Sequence, residues 1–534
     1  MNCKVLAFTV ITGLSIALFS GCSADNGEDY IFKSVIYGNP DTLDPQTAAD
    51  ESSRAVIANT FRGLYRINEK GEVVPDMAEE LEVSDDGLNW SFTIADNVYW
   101  TDGGDFEAVC TAYDFEFAFR RLLSPEVKSK NADKYYCIKN AENIHKGIIT
   151  DITALGIKAE SDKRLVITLE EKKPDFMRLL AAPSSMPCNE EFYRSTEGRY
   201  GLYDDAVAGN GDFYVTSWSY DKWSDNNNCI ILRRNKANSK TEKISPYGLN
   251  FFIVNDSEKG FEMFRKGEIH CFASDNSRYS EEFIKKYSYE AFETVTYGIV
   301  FNGNTLGKER DFRIALGASA YLDINSDNFI SANGIIPDCI TFGGEGYRDR
   351  AGDITIPDYS EAELSERFEK GISGISKEIL TNAEMIMPKN EELRKKLGEV
   401  LQKWQKDYGF YCSLTELDVR EYKSRLENGG FDIAILSLSG EENSPKGYLS
   451  CFDDNDVINP DNRKFSHILS SAEKETDSSI IISYYKEAEQ GLIDDFIFVP
   501  LCLEREYVFY SEGIEGIEYN PYNGIFRFKN ALKK

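Results

Sequence analysis

Apolar and polar positions alternate through Leu88-Asn89-Trp90-Ser91-Phe92-Thr93-Ile94, the period expected of a half-buried strand. Ile31 to Tyr37 reads as a strand that ends at Gly38-Asn39-Pro40, and Arg164 to Leu169 and Ile230 to Arg234 read as two more. Phe431-Asp432-Ile433-Ala434-Ile435-Leu436 is almost continuously apolar, which predicts a strand buried on both faces. Helical spacing takes over elsewhere. Ala55 to Leu64 forms one helix, with Ser52 or Ser53 as its cap. Thr111-Ala112-Tyr113-Asp114 has capping-box form and opens a helix through Phe115, Ala118, Phe119 and Leu122 that stops near Pro125. Leu393, Leu397, Val400, Leu401, Trp404 and Tyr408 share one helical face, and Gly409 ends the pattern. Phe115, Phe119 and Trp404 are expected in the core. Strands and helices interleave along the whole chain, and no internal repeat or low-complexity linker interrupts them. An α/β fold follows.

The first residues follow a different rule. Lys4 precedes a largely apolar run from Val5 to Phe19, short for a bilayer span of about 20 residues but right for the core of a signal peptide. Leu18-Phe19-Ser20-Gly21-Cys22 then resembles a bacterial lipobox, although Phe19 stands where a branched aliphatic residue is usual. Cleavage before Cys22 would leave it as an acylated N-terminus on a polar tether. The chain is expected outside the cytoplasm, lipid-anchored to the cell membrane.

Composition narrows the chemistry. Lys and Arg number 60 against 90 Asp and Glu, a formal charge of −30 over 534 residues with no basic block, so phosphate backbones are repelled and nucleic-acid binding is disfavoured. The only histidines, His145, His270 and His467, are far apart, and no metal-ligand helix, Walker loop or nucleophile elbow occurs. No metal, cofactor or catalytic residue is assigned. Of eleven cysteines, nine remain beyond Cys3 and Cys22, with no Cys-x-x-Cys pair and an odd number that leaves at least one thiol without an internal partner.

A series of short segments, in order, resembles one family. It begins with Thr42-Leu43-Asp44-Pro45, then Phe61-Arg62-Gly63-Leu64, Val74-Pro75-Asp76-Met77-Ala78, Trp100-Thr101-Asp102-Gly103 and Thr111-Ala112-Tyr113-Asp114. Further along come Gly209-Asn210-Gly211-Asp212-Phe213-Tyr214, Phe264 to Ile269, Tyr297 to Asn302, Arg313-Ile314-Ala315-Leu316, Gly430-Phe431-Asp432, Ala488-Glu489 and Val499-Pro500-Leu501. Together they resemble the oligopeptide- and dipeptide-binding lipoproteins, the family 5 extracellular solute-binding proteins of ABC transporters.

The resemblance implies a two-lobed periplasmic-binding-protein type II fold with an extra inserted domain in the N-terminal lobe. The implied division is a signal peptide at 1–21, a tether at 22–30, and a first lobe from 31–65, 195–292 and 505–534. The inserted domain covers 66–194 and the second lobe 293–504, with crossings near Phe292 to Asn304 and Leu503 to Val508. It further implies a monomer that binds a peptide and meets permease subunits in the membrane. The ligand would pair its backbone with Asp50-Glu51-Ser52 and with Ser437-Leu438-Ser439. Glu441 would take the place of the family's aspartate that grips the ligand's α-ammonium group, and Phe117 would line the cleft. Leu438 stands where the family has tryptophan and Ser437 where it has glycine.

Alternatives remain open within this reading: a non-peptide solute such as a sugar or metal chelate, or a signalling peptide. A secreted hydrolase is disfavoured, because Glu441 and Glu442, the carboxylate pair considered, would face opposite ways on an extended strand.

Overall fold

A computed structural model describes residues 30–173, 176–224, 228–240, 243–274, 282–320, 324–343, 345–440, 443–453, 455–475 and 477–534. The strand Ile31–Tyr37 buries Phe32, Ser34 and Ile36 on one face and pairs in parallel with Gly248–Val254. Cys229–Arg234 and Phe213–Ser219 complete this four-stranded sheet in antiparallel fashion. A parallel pair needs a crossover, and here the crossover spans some two hundred residues. Within it lies a second four-stranded sheet of Ala78–Val83, Asn89–Ile94, Arg164–Thr168 and Ile157–Ser161. The helix Ala112–Leu122 packs on it, with Phe115 and Phe119 fully buried and Asp114 Oδ2 accepting the Thr111 N–H at 2.8 Å. One continuous apolar core joins the two sheets, so the inserted segment rests on the first lobe rather than enclosing a core of its own.

A seven-stranded sheet runs from the first lobe into the second and forms the second lobe's framework. Its main path runs Cys271–Ser274, Phe498–Tyr510, Ser288–Phe301, Ile433–Ser439, Glu384–Pro388 and Ser413–Leu417, and Phe329–Ser331 pairs beside Phe498–Tyr510. Ile433 and Ile435 face one core, and Ala434 and Leu436 the other. Burial on both faces explains the unbroken apolar run in the sequence. On one side lie Arg310–Ser319, Glu361–Ile372 and Glu391–Tyr408, where Trp404 Nε1 donates to Leu316 O at 3.1 Å. On the other lie Arg463–Lys474 and Ser478–Asp494. Gly409 closes its helix in the left-handed region at φ +65°.

Ser288–Phe301 and Phe498–Tyr510 run antiparallel and tie the two lobes together. Their near ends meet an aromatic cluster that includes Phe264, Phe272 and Phe283, and their far ends pair on into the second lobe, where Val295 to Phe301 pairs with Ile433–Ser439. Between the two, the register breaks from Phe292 to Val295.

One expected element moves. The helix predicted over Ala55–Leu64 spans Glu51–Thr60, and its cap is Asp50 rather than Ser52 or Ser53. Asp50 Oδ1 accepts the Ser53 N–H at 2.8 Å, which starts the helix a turn earlier. It ends early because the Arg62 N–H goes to Asn210 Oδ1 at 2.9 Å instead of to a helical carbonyl. All nine cysteines among the described residues are free thiols.

His270 sits where the first strand meets the crossing strands. Its Nδ1 accepts the Lys33 N–H at 3.0 Å, which leaves the ring proton on Nε2, 2.7 Å from the Tyr30 hydroxyl. Burial, aided by the positive charges of Lys33 and Lys533, lowers its pKa from 6.5 to about 4. Between these values the unfolded chain binds the proton and the folded one does not, so stability falls as pH drops through that window. His270→Gln should flatten the fall in melting temperature from about pH 6.5 to about pH 4; parallel curves for the two proteins would contradict this.

Candidate ligand-binding cleft

A cleft of about 860 Å³ opens between the lobes. Its floor is the sheet edge at Ser34–Tyr37 and Cys271–Ala273, its first wall the start of the helix Glu51–Thr60, and its second wall the C-terminal hairpin Glu518–Asn520 with Ile525–Arg527. The inserted segment supplies Lys130, Asn131 and Ala181 to Ser184, and the second lobe supplies Lys423 and Ser439.

Of the residues singled out from sequence, Glu51, Ser52 and Ser439 line this cleft. Glu51 and Ser52 occupy the first turn of the helix, so they offer no extended segment for strand pairing, and the buried Ser52 hydroxyl donates to Tyr37 O at 3.0 Å. The Asp50 carboxylate is spent on its cap and on the Ser53 hydroxyl and does not line the cleft. Phe117 is half-buried, packed edge-on against Tyr193 at 5.5 Å, and stands with the core rather than the cleft.

Ser437-Leu438-Ser439 lies on a true strand. Tyr297, Thr296 and Val295 pair with it on one side, leaving Ser437 and Ser439 exposed and Leu438 buried. On the other side Glu384–Pro388 pairs only with Ile433 and Ala434, so among the described residues Leu436 to Ser439 keeps an open ladder edge. Such an edge accepts an added strand. Glu441 and Glu442 follow directly, but both lie outside the described residues, as does Cys22.

Contacts between the lobes at the cleft rim carry no obvious sequence signal. The buried Asn443 of the second lobe accepts the Thr341 N–H at 2.7 Å and donates to Lys70 O of the first at 2.5 Å. Gly71 makes this approach possible: at φ +75°, an added Cβ would stand 2.3 Å from Asn443 Cβ and 2.7 Å from the Tyr522 ring. The Tyr522 hydroxyl donates to Cys339 O at 3.4 Å across the same gap.

Burial raises the Asp114 carboxyl to about 6, yet that group serves Trp100 Nε1 at 3.2 Å and Asn189 Nδ2 at 3.1 Å inside the core, away from the cleft. Among the described residues no cluster of His, Cys, Asp or Glu could hold a metal ion.

Two α/β lobes joined by a pair of long strands, with a cleft of mixed polar and apolar lining between them, give the two-lobed architecture of solute-binding proteins. Residues 72–459 match the model of the bacterial extracellular solute-binding proteins, family 5, and the chain belongs to that family. It is 27% identical to the oligopeptide-binding protein OppA of Bacillus subtilis over 99% of this chain and 98% of that one. Identity to the dipeptide-binding protein DppE of the same organism is 24%, over 97% of each. The fold is also that of the periplasmic murein tripeptide binding protein MppA in its unliganded open form (TM-score 0.74, 21% identity, covering 95% of this chain and 98% of that one). Listeria monocytogenes OppA bound to peptide matches with a TM-score of 0.67 at 20% identity, over 95% and 99%. Family membership places the working part of the chain outside the cytoplasm, and no helix among the described residues is long and apolar enough to cross a membrane.

Asn443→Ala should open the lobes, because it removes the bond to Lys70 O and strands the Thr341 N–H. A lost hydrogen bond costs about 0.5–1.5 kcal/mol, so small-angle scattering should show a larger radius of gyration than for the parent chain. An unchanged radius would mean that Asn443 does not hold the lobes together.

Proposed function

We propose that this protein captures short peptides outside the cell membrane and delivers them to the permease subunits of an ABC importer, without chemical change to the peptide. The observation that carries the reading is the open ladder edge at Leu436 to Ser439, beside a cleft large enough for an extended chain. Relatives named for oligopeptide and dipeptide binding, matched along nearly the whole chain, support it. An incoming backbone extends the sheet along this edge, and its side chains fall into the roomy cleft. Backbone pairing is indifferent to sequence, so the selectivity must come from the walls.

On this reading residues 31–65, 195–292 and 505–534 form the first lobe, 66–194 the inserted domain and 293–504 the second lobe. The register break at Phe292 to Val295 is the flexible point about which the lobes close on ligand. The protein acts as a monomer.

Glu441 comes two residues after Ser439 in the sequence and is the partner for the ligand's α-ammonium group, since a desolvated charge without a partner is costly. Truncating one partner of a buried charged pair costs about 2–5 kcal/mol, so Glu441→Gln should weaken peptide binding by roughly 30-fold or more in calorimetry. N-acetylation of the peptide should weaken binding to the parent chain similarly, and the two changes together should add less than fully. Equal affinity for acetylated and free peptides would remove Glu441 from the site.

Residues 1–21 direct export, and Cys22 is the acylated N-terminus that holds the protein to the membrane surface. Cys22→Ser should release the protein into the soluble fraction or leave its precursor uncleaved. A variant that is fully processed and still membrane-bound would rule out the anchor.

A further inference from the structure

The cleft reverses the charge of the chain. Over the whole sequence acidic residues outnumber basic ones by 90 to 60, yet six Lys and Arg side chains line the cleft against three glutamates. Resting on the peptide-binding reading, we infer that the cleft selects peptides bearing acidic side chains, received by Arg54, Lys130, Lys134 and Lys423.

The first three stand on one wall because buried hydrogen bonds stitch its segments together. Ser129 Oγ donates to Gln46 O at 2.6 Å and Asn131 Nδ2 to Ala48 O at 3.2 Å, which fixes the turn bearing Lys130 and Lys134 beside the helix bearing Arg54. The Tyr135 hydroxyl, 2.9 Å from Ser184 Oγ, locks the same turn to the segment from Leu179 to Ser184. Lys423 comes from the second lobe, on the exposed face of Val419–Glu427.

Arg54, Lys130, Lys134 and Lys423 form no salt bridge among the described residues, although carboxylates are abundant elsewhere on this surface. The acidic groups facing the same cleft are otherwise placed. Glu518 is paired with Arg66 at 3.6 Å, and Glu69 lines the cleft without an ion pair to any of the four cations. Glu51 shares the helix of Arg54 without an ion pair between them. Unpaired cations around a cleft in an acidic protein raise the local concentration of anionic ligand and leave donors ready for carboxylates. One terminal carboxylate could engage one or two of them; four, drawn from both lobes, match a ligand with several.

The test compares Ala-Glu-Ala-Glu-Ala, Ala-Ala-Ala-Ala-Ala and Ala-Lys-Ala-Lys-Ala in calorimetry with the mature chain. The acidic peptide should bind about tenfold or more tightly than the basic one at low salt, with an advantage that shrinks as salt approaches about 0.5 M. C-terminal amidation of the acidic peptide should preserve most of that advantage, and Lys130→Ala combined with Lys134→Ala should reduce it. Equal binding of all three peptides overturns the charge selectivity and leaves the peptide reading standing. Loss of the advantage on amidation alone also overturns it, by assigning the cations to the terminal carboxylate. Binding of none of the three removes the peptide reading and the selectivity with it.

Discussion

The buried pair of Asp44 and Arg121 holds the cleft's first wall in place. Arg121 Nη2 meets Asp44 Oδ2 at 2.6 Å, its Nη1 donates to Gln46 Oε1 at 2.8 Å, and its guanidinium lies 4.0 Å from the centre of the Tyr193 ring. Gln46, itself fully buried, donates to Met186 O at 2.8 Å. These contacts join the turn after the first strand to the helix Ala112–Leu122 of the inserted segment. Removing one partner of such a pair typically costs about 3–5 kcal/mol, because the other charge stays buried. Ala48, Ala49 and the turn bearing Lys130 and Lys134 hang from the same network, so the backbone of the cationic wall is tied to the core behind it.

The motifs that betray the family serve this kind of scaffolding. Asp44 is the Arg121 partner. Arg62 and Asp76 pair at 2.7 Å, and Asn210 bonds both the N–H and the C=O of Arg62. Glu489, with no exposed surface, accepts the N–H groups of Ile335 and Ile336 at 2.9 and 3.0 Å and pairs with Arg348. Each is a polar group buried deep enough to need a particular partner, and that requirement leaves a recognisable residue at a recognisable spacing.

The cleft was less legible for the same reason. Strand and helix periods exposed Ile31–Tyr37, Asn89–Ile94, Ala112–Leu122 and Glu391–Tyr408 almost to the residue, since burial of one face imposes the pattern. Asp50 escaped as a cap because Ser52 and Ser53, equally able to cap, follow it directly. Phe117 could not be told from a cleft aromatic, since a half-buried ring looks alike in sequence wherever it points. Arg54, Lys130, Lys134 and Lys423 come from three separate stretches of chain, in a sequence with 60 basic residues. Only folding brings them together. Asn443 and Gly71 meet across more than three hundred residues and share no period.

The balance of forces at the rim suits a protein that must both hold and release. Asn443 on Lys70 O and Tyr522 on Cys339 O are single neutral hydrogen bonds, each worth about 0.5–1.5 kcal/mol net. They favour closure without enforcing it. A ligand shifts such an equilibrium only by touching both lobes, and carrying it from almost fully open to almost fully closed takes about 5.5 kcal/mol of differential affinity. A backbone laid along Leu436 to Ser439 engages the second lobe, while carboxylates reaching Arg54 and Lys130 engage the first. On the proposed reading, the strand edge makes the protein a peptide binder in general, and the charged wall opposite determines which peptides supply enough cross-lobe energy to close it.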